Sequence, residues 1–185
     1  MTSAHTHFPA SSTNPLNLVG QFLIAMPSQQ GETFERTVIY ICEHNPSGAL
    51  GIVVNRESDV TISDVLTKLA VVDDMQIQYS AHSADSVLVG GPVQTERGFV
   101  LHSPFKQYAA TIQINDHLGL TSSRDILEAV ARGEGPRHML LALGYAGWGA
   151  GQLEDELARN AWLNVQADEH VLFETLPHEK YDQAI

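Results

Sequence analysis

Four glycines and a tryptophan separate an apolar run from an acidic segment in Gly144–Glu154, which reads GYAGWGAGQLE. Glycine is favoured where the backbone takes a positive φ or approaches another group closely, so this density marks a special junction. The apolar run His138–Gly144 predicts a buried strand, and Gln152–Asn160 predicts a helix with one apolar face. We therefore predict a close strand-to-helix turn built around Trp148.

The same junction has the glycine content of a phosphate-binding loop but not its spacing. A glycine-rich turn before a helix can bind phosphate through exposed N–H groups and the helix dipole. Here the glycines follow neither the dinucleotide-binding pattern nor the P-loop pattern. Glu154, Asp155 and Glu156 follow directly, where they complement the positive helix end and would repel a phosphate. The sequence favours a packing role for these glycines.

Composition limits the class of protein and of partner. A chain of 185 residues, 43% of them hydrophobic, is typical of one globular domain with a sizeable core. The net charge of −12, with only ten Lys and Arg, argues against direct broad contact with nucleic acid. The single cysteine, Cys42, excludes an internal disulfide and favours a reducing, cytoplasmic location.

The amino-terminal residues 1–14 are rich in Ser, Thr and His. They lack the charged start and the apolar centre of a signal peptide, and they are too polar to span a membrane. We expect a flexible lead-in over residues 1–14 and a single α+β domain over residues 15–185, with no membrane contact.

Short apolar runs separated by turn residues predict the strands and helices of this domain. The strongest signal is a hairpin in which Thr37–Cys42 and Leu50–Asn55 flank the turn Asn45–Gly48. Thr61–Asp64 predicts a capping box before a short helix, and Ser122–Asp125 predicts the cap of a second helix. The other predicted strands are Gln21–Pro27, Ser86–Gly90, Arg97–His102, Ala110–Asn115, Trp162–Val165 and His170–Phe173. We expect the second and third of these to pair with each other.

Cys42, Glu43 and His44 lie where a buried strand meets its turn. At positions i and i+2 of a strand, Cys42 and His44 would share one face and could share a metal ion. A metal site needs at least three protein ligands, and no third one lies nearby in the sequence. His102, at the end of another strand, is the only attractive candidate. We therefore predict no metal site. As a nucleophile Cys42 would need a nearby cation to lower its thiol pKa, and we favour the alternative of a buried core thiol.

A second polar group follows Gly90-Gly91-Pro92. Arg97 offers a bidentate donor for an anion, and His102 offers a titratable imidazole. The alternative is a glycine-rich turn in which Arg97 pairs with a surface carboxylate. No G-x-S-x-G pattern occurs in the chain, so nothing supports a serine hydrolase.

Taken in order, these motifs resemble the AlgH/YqgE family. The matching stretches are FLIAMP at 22–27, CEH at 42–44, GALG at 48–51 with Asn55, GGPV at 90–93, RGFVLH at 97–102, GYAGW at 144–148 and GQLE at 151–154. Together they cover about residues 16–183, nearly the whole chain. Lys180-Tyr181 departs from the pattern, because the family more often has a tryptophan after the basic residue.

The resemblance implies a fold and no agreed chemistry. The implied fold is α+β, with a mixed, strongly bent β-sheet curled into a partial barrel and helices packed outside. The family's name comes from a suggested role in regulating alginate synthesis genes, and no catalytic residues, metal or cofactor come with it. We therefore assign no catalytic residue and no cofactor. The polar motif residues are candidates for a ligand-binding surface: Glu43, His44, Asn55, Arg97 and His102.

Three functions stay open at this point. We favour a non-enzymatic binding or regulatory protein that acts through an unidentified protein partner or small ligand. A DNA-binding transcriptional regulator is the second, although the charge of −12 and the absence of a helix-turn-helix pattern oppose it. The third is an enzyme, a hydrolase or a thiol-dependent one, using the region of Cys42, Glu43, His44 and His102.

Overall fold

The computed structural model describes residues 16–26, 36–69 and 81–185. Its strands are β1 (Gln21–Ala25), β2 (Val38–Asn45), β3 (Gly48–Val53), β4 (Glu57–Thr61), β5 (Ser86–Val89), β6 (Val93–Ser103), β7 (Thr111–Gln113), β8 (Gly119–Thr121), β9 (His138–Gly149) and β10 (Trp162–Gln166). Its α-helices are α1 (Ile62–Lys68), α2 (Asp125–Ala131), α3 (Gln152–Ala158) and α4 (Lys180–Ala184). A π-helical turn, His170–Glu174, and a 3₁₀ turn, Pro177–Glu179, precede α4.

All of these strands belong to one sheet, with the order β10-β1-β2-β3-β9-β6-β8-β7. Strand β5 pairs in parallel with β9, and β4 pairs with β5. The long strand β9 holds β3 along its second half, and β5 and β6 along its first half. The sheet curls around this strand into a half-barrel, so the predicted fold class is confirmed.

Apolar side chains pack on both faces of the curled sheet. The largest cluster lies inside the half-barrel and includes Tyr40, Cys42 and Leu101, together with Leu172 and Tyr181 of the carboxy-terminal segment. Helix α3 packs outside against β1, β2 and β3, and helices α1 and α2 pack outside against β5, β6 and β9. The carboxy-terminal segment therefore closes one side of the barrel interior.

Two local predictions are confirmed. Strands β2 and β3 form the expected antiparallel hairpin, with Asn45 opposite Gly48. Thr61 begins α1 with a full capping box: its hydroxyl accepts from the Asp64 N–H, and the Asp64 carboxylate accepts from the Thr61 N–H. Each prediction rested on local turn or cap chemistry.

The glycine junction differs from its prediction. Strand β9 runs on through Gly149, so the turn into α3 is confined to Ala150 and Gly151, with Gly151 at a φ of 76°. Gly144 has a φ of 80°, and a Cβ there would collide with the Gly91 carbonyl oxygen. The glycines within β9 allow neighbouring backbones to approach closely.

Three further predictions are wrong. Ser86–Gly90 does not pair with Arg97–His102, because β9 lies between β5 and β6. His170–Phe173 is π-helical, since four apolar residues cannot by themselves distinguish a strand from a helix. Helix α2 begins at Asp125 without a side-chain cap; Ser123 and Asp125 instead accept hydrogen bonds from the N–H groups of residues 110 and 109.

The predicted lead-in, residues 1–14, lies outside the described residues, and the division into lead-in and domain stays a prediction. Among the helices that are described, none has the length and apolar character needed to cross a membrane.

Candidate functional site

The five candidate residues named from sequence do not form one site. His44 and His102 are buried, Asn55 supports the backbone, and Glu43 and Arg97 lie at the surface. Among the described residues no group of three or more His, Cys, Asp or Glu side chains is arranged to hold a metal ion.

His44 connects β2 to the amino-terminal segment and to α3. Its Nδ1 accepts a hydrogen bond from the Leu18 N–H at 3.1 Å, and its Nε2 lies 2.8 Å from the Glu154 carboxylate. Accepting at Nδ1 requires the proton on Nε2, which then donates to Glu154. Both ring nitrogens are thus used for structure.

Cys42 and His44 lie on opposite faces of the sheet, contrary to the prediction that they share one. The register between β2 and β3 shifts between Ile41 and Glu43, which is a β-bulge at Cys42. Cys42 packs in the barrel interior, where complete burial raises its thiol pKa. A buried thiol of this kind is not an activated nucleophile.

Asn55 fixes the backbone where β2 begins. Its Oδ1 accepts from the Val38 N–H at 3.0 Å, and its Nδ2 donates to the Arg36 carbonyl at 2.8 Å. These two hydrogen bonds are structural and leave the amide with little capacity for a ligand.

Glu43 and Arg97 lie on adjoining parts of an open surface. Glu43 borders a shallow groove with Leu50, Tyr145 and Trp148. The Arg97 guanidinium donates to the Ser122 hydroxyl at 3.0 Å and covers the Phe99 ring, which packs edge-on against Tyr145. Arg97 therefore pairs with a hydroxyl rather than with the surface carboxylate that the sequence suggested.

His102 is completely buried and joins a chain of hydroxyl groups. Its Nε2 lies 2.8 Å from the Thr121 hydroxyl, which lies 2.7 Å from the Thr111 hydroxyl. Its Nδ1 has no hydrogen bond of good geometry, with the Pro104 backbone nearby, and burial lowers the pKa of the ring. Because the side chain is completely buried, we assign His102 to the core.

A cavity of about 290 Å³ lies between the sheet and the carboxy-terminal segment. Strands β4, β5 and β9 supply one wall, and the π-helical turn with the following residues supplies the other. Its apolar surface comes from side chains such as Leu88, Leu141 and Phe173, and its polar lining comes from Glu57, His82, Asp85, His138, Glu174 and Lys180. We call this space the Lys180 cavity.

Lys180 is the most unusual residue of the cavity. It is only 1% exposed, and its Nζ has no hydrogen-bond partner among the residues that the structure describes. Burial lowers the pKa of this amine from 10.5 to about 7, and the negative charge of Glu57 offsets that shift only in part. Lysine is almost never fully buried without a partner, so Lys180 stands out within the described part of the chain.

His82 supplies a second basic group at the cavity. Its Nδ1 lies 2.9 Å from the Asp85 carboxylate, and its Nε2 lies 3.1 Å from the Arg137 carbonyl oxygen. Both neighbours are acceptors, an arrangement that favours the protonated ring, in which both nitrogens can donate. The hydrogen bond to Asp85 is the main cause of the raised pKa of His82.

Sequence reasoning did not find the Lys180 cavity. Its polar residues come from five separate elements, and nothing in their spacing predicts that they meet. The one available signal was Lys180-Tyr181, where the sequence departs from the family pattern, and burial of a lysine is not visible in a sequence.

Comparison with known proteins gives a consistent family match. A model of the family described as AlgH-like matches residues 22–185. A UPF0301 protein of Cupriavidus metallidurans is 52% identical over 176 residues, which cover 95% of this chain and 90% of that protein. A UPF0301 protein of Photobacterium profundum is 46% identical, covering 92% and 91% of the two chains. The resemblance seen in the motifs is confirmed.

Solved structures agree with this match. The solution structure of the AlgH protein from Pseudomonas aeruginosa superposes with a TM-score of 0.78 at 43% identity, covering 92% of this chain and 88% of that one. A crystal structure of a Corynebacterium diphtheriae protein gives a TM-score of 0.62 at 22% identity, covering 84% and 79%, and shares the fold.

Proposed function

This chain belongs to the AlgH-like family, and we propose that it is a non-enzymatic, cytoplasmic binding protein whose Lys180 cavity holds a small ligand. The ligand carries an oxygen acceptor, a carboxylate or a carbonyl, that pairs with the Lys180 amine. Binding there gives the protein a regulatory role.

The observation that carries this proposal is the buried Nζ of Lys180, which forms no hydrogen bond within residues 16–26, 36–69 and 81–185. Leaving a buried donor unsatisfied costs about 1–3 kcal/mol, and more when the donor is charged. Native proteins contain few such groups, and each calls for an explanation. A ligand oxygen in the adjoining cavity would remove this cost.

The dimensions of the cavity restrict the ligand. Ligand pockets span about 300–1,000 Å³, so a cavity of about 290 Å³ fits a small metabolite and not a nucleotide. The apolar wall from Leu88, Leu141 and Phe173 suits a short carbon skeleton. A ligand oxygen can pair with the Lys180 amine, which has no acceptor among the described residues.

The carboxy-terminal segment offers a route from ligand to regulation. Phe173, Pro177 and Lys180 belong to the wall that covers the cavity, and Leu172 and Tyr181 of the same segment fill the barrel interior. A ligand bound to Lys180 would therefore stabilise one position of this segment. The surface that the segment presents to a protein partner would change with it.

The test measures thermal unfolding of the full chain with pyruvate, lactate, succinate or inorganic phosphate at millimolar concentrations. A ligand that binds only the folded state raises the melting temperature in proportion to its occupancy. We expect at least one of the organic acids to raise it in the unmodified protein and not in Lys180→Met.

Lys68→Met is the matched control, because Lys68 is exposed at the end of α1. It should respond to the acids as the unmodified protein does. Absence of any shift in the unmodified protein, or equal shifts in all three proteins, would contradict the proposal.

A further inference from the structure

We propose that Lys180 captures its ligand covalently, as an imine with a small oxo acid or aldehyde. This inference rests on the proposed function, since it concerns the same cavity, and it names the chemical class of the ligand. Because an imine forms only with a carbonyl group, the site would distinguish a carbonyl compound from the corresponding alcohol.

The position of the amine favours addition to a carbonyl over simple ion pairing. Lys180 lines the cavity, and no acceptor among the described residues holds its Nζ, so the lone pair of the amine is free once the proton has left. A desolvated lysine is how proteins form Schiff bases near neutral pH. Burial also keeps this amine largely uncharged at pH values above about 7.

The groups around the amine suit the reaction. Glu57 faces it from β4, His82 and Asp85 from the segment before β5, His138 from β9 and Glu174 from the π-helical turn. The hydrogen bond to Asp85 raises the pKa of the His82 ring, and both groups line the cavity. His138, stacked on Phe173, is half-buried at the cavity wall, and we assign to its imidazole the proton transfer that the reaction needs.

The chemistry balances without any further reactant. The neutral Lys180 amine attacks the carbonyl carbon, and a new C–N bond forms. The carbonyl oxygen then leaves as water with the two protons of the amine, so a C=N bond replaces the C=O bond. No oxidation or reduction occurs, and the burial of the Lys180 side chain opposes hydrolysis of the imine.

The chain is well suited to a test because it contains only three lysines, Lys68, Lys106 and Lys180. Lys68 and Lys106 are exposed and serve as internal references. The full chain is incubated with pyruvate and sodium cyanoborohydride near pH 7.5, which reduces the imine to a stable amine. Peptide mass spectrometry then locates a mass gain equal to pyruvate less one oxygen atom.

We expect Lys180 to be modified at least tenfold faster than Lys68 and Lys106. Lactate, which has a hydroxyl group in place of the keto group, should slow the modification by occupying the cavity. Denaturing the protein should abolish the preference for Lys180, because that preference depends on the folded structure. Lys180→Arg should show only the slow background at Lys68 and Lys106.

Two results would overturn the inference, and they differ in what they say about the proposed function. Equal modification of all three lysines, or none at Lys180, overturns covalent capture. If lactate or succinate still raises the melting temperature in that case, non-covalent binding in the cavity stands. If neither modification nor stabilisation occurs, the cavity is not a ligand site and both proposals fail.

Discussion

At the scale of single residues, the burial of Lys180 lowers the free energy of unfolding of this protein. Its pKa falls from 10.5 in the unfolded chain to about 7 in the folded protein. The unfolded state therefore binds more protons between these two values, and stability rises with pH across that range. The cost is greatest below pH 7, where it is about 5 kcal/mol by proton linkage.

Replacing this residue by an apolar one of similar shape should therefore stabilise the protein. We expect Lys180→Met to raise the free energy of unfolding near pH 6 by up to about 5 kcal/mol, with the gain shrinking steadily towards pH 10. Urea unfolding at several pH values measures this. A variant less stable than the unmodified protein near pH 6, or a difference independent of pH, would show that the amine is not held as described.

At the scale of secondary-structure elements, the glycines of β9 set how closely the strands approach. Gly144 and Gly151 have nearly the same φ, 80° and 76°, but different surroundings. A Cβ at Gly144 would collide with the Gly91 carbonyl oxygen, whereas a Cβ at Gly151 meets nothing within 4 Å. Alanine substitutions at these two glycines therefore distinguish the free-energy cost of a positive φ from the cost of steric crowding.

We expect Gly151→Ala to cost about 1–2 kcal/mol, which is the penalty for a left-handed conformation alone. Gly144→Ala should cost about 3 kcal/mol or more, because overpacking adds to that penalty. Chemical denaturation of both variants measures the difference. Similar losses would mean that the contact between β9 and Gly91 does not limit the fold.

The carboxylate of Glu156 joins helix α3 to two tryptophans of the sheet. Glu156 Oε1 accepts from the indole nitrogens of Trp148 at 3.0 Å and Trp162 at 2.9 Å. Glu156→Ala removes this acceptor, and we expect a loss of about 2–3 kcal/mol, since hydrogen bonds to charged groups are the stronger ones.

Fluorescence reports on this change directly, because these are the chain's only two tryptophans. Glu128→Ala is the control: Glu128 pairs with Arg124 at an exposed site, where ion pairs contribute about 0–1 kcal/mol. Equal losses in the two variants would contradict the special role of Glu156.

At the scale of the whole molecule, local chemistry was predictable from sequence and long-range placement was not. The β2–β3 hairpin and the Thr61 capping box follow from neighbouring residues, and both are confirmed. The pairing of β5 with β9 depends on residues more than fifty positions apart, and the sequence contains no local signal for it. The relative placement of the five candidate residues depends on long-range contacts of the same kind.

Individual residues show why the role of a polar side chain is not evident from the sequence. His44 and Asn55 are prominent polar residues in their motifs, yet each uses its polar atoms to hold backbone or helix in place. Lys180 looks like an ordinary surface lysine until the carboxy-terminal segment is placed over the sheet. The family resemblance predicts the half-barrel, whereas the cavity is visible only in the three-dimensional structure.

The account depends most on the claim that Lys180 faces a ligand site, and lysine NMR tests this directly. Protein labelled with ¹³C-lysine gives three ε-carbon signals, and Lys180→Arg identifies the one from Lys180. We predict that this signal titrates near pH 7 and moves saturably with millimolar pyruvate or succinate, while those of Lys68 and Lys106 do not follow the acid. A Lys180 signal that ignores both acids, or that moves only in step with the other two, would contradict the account.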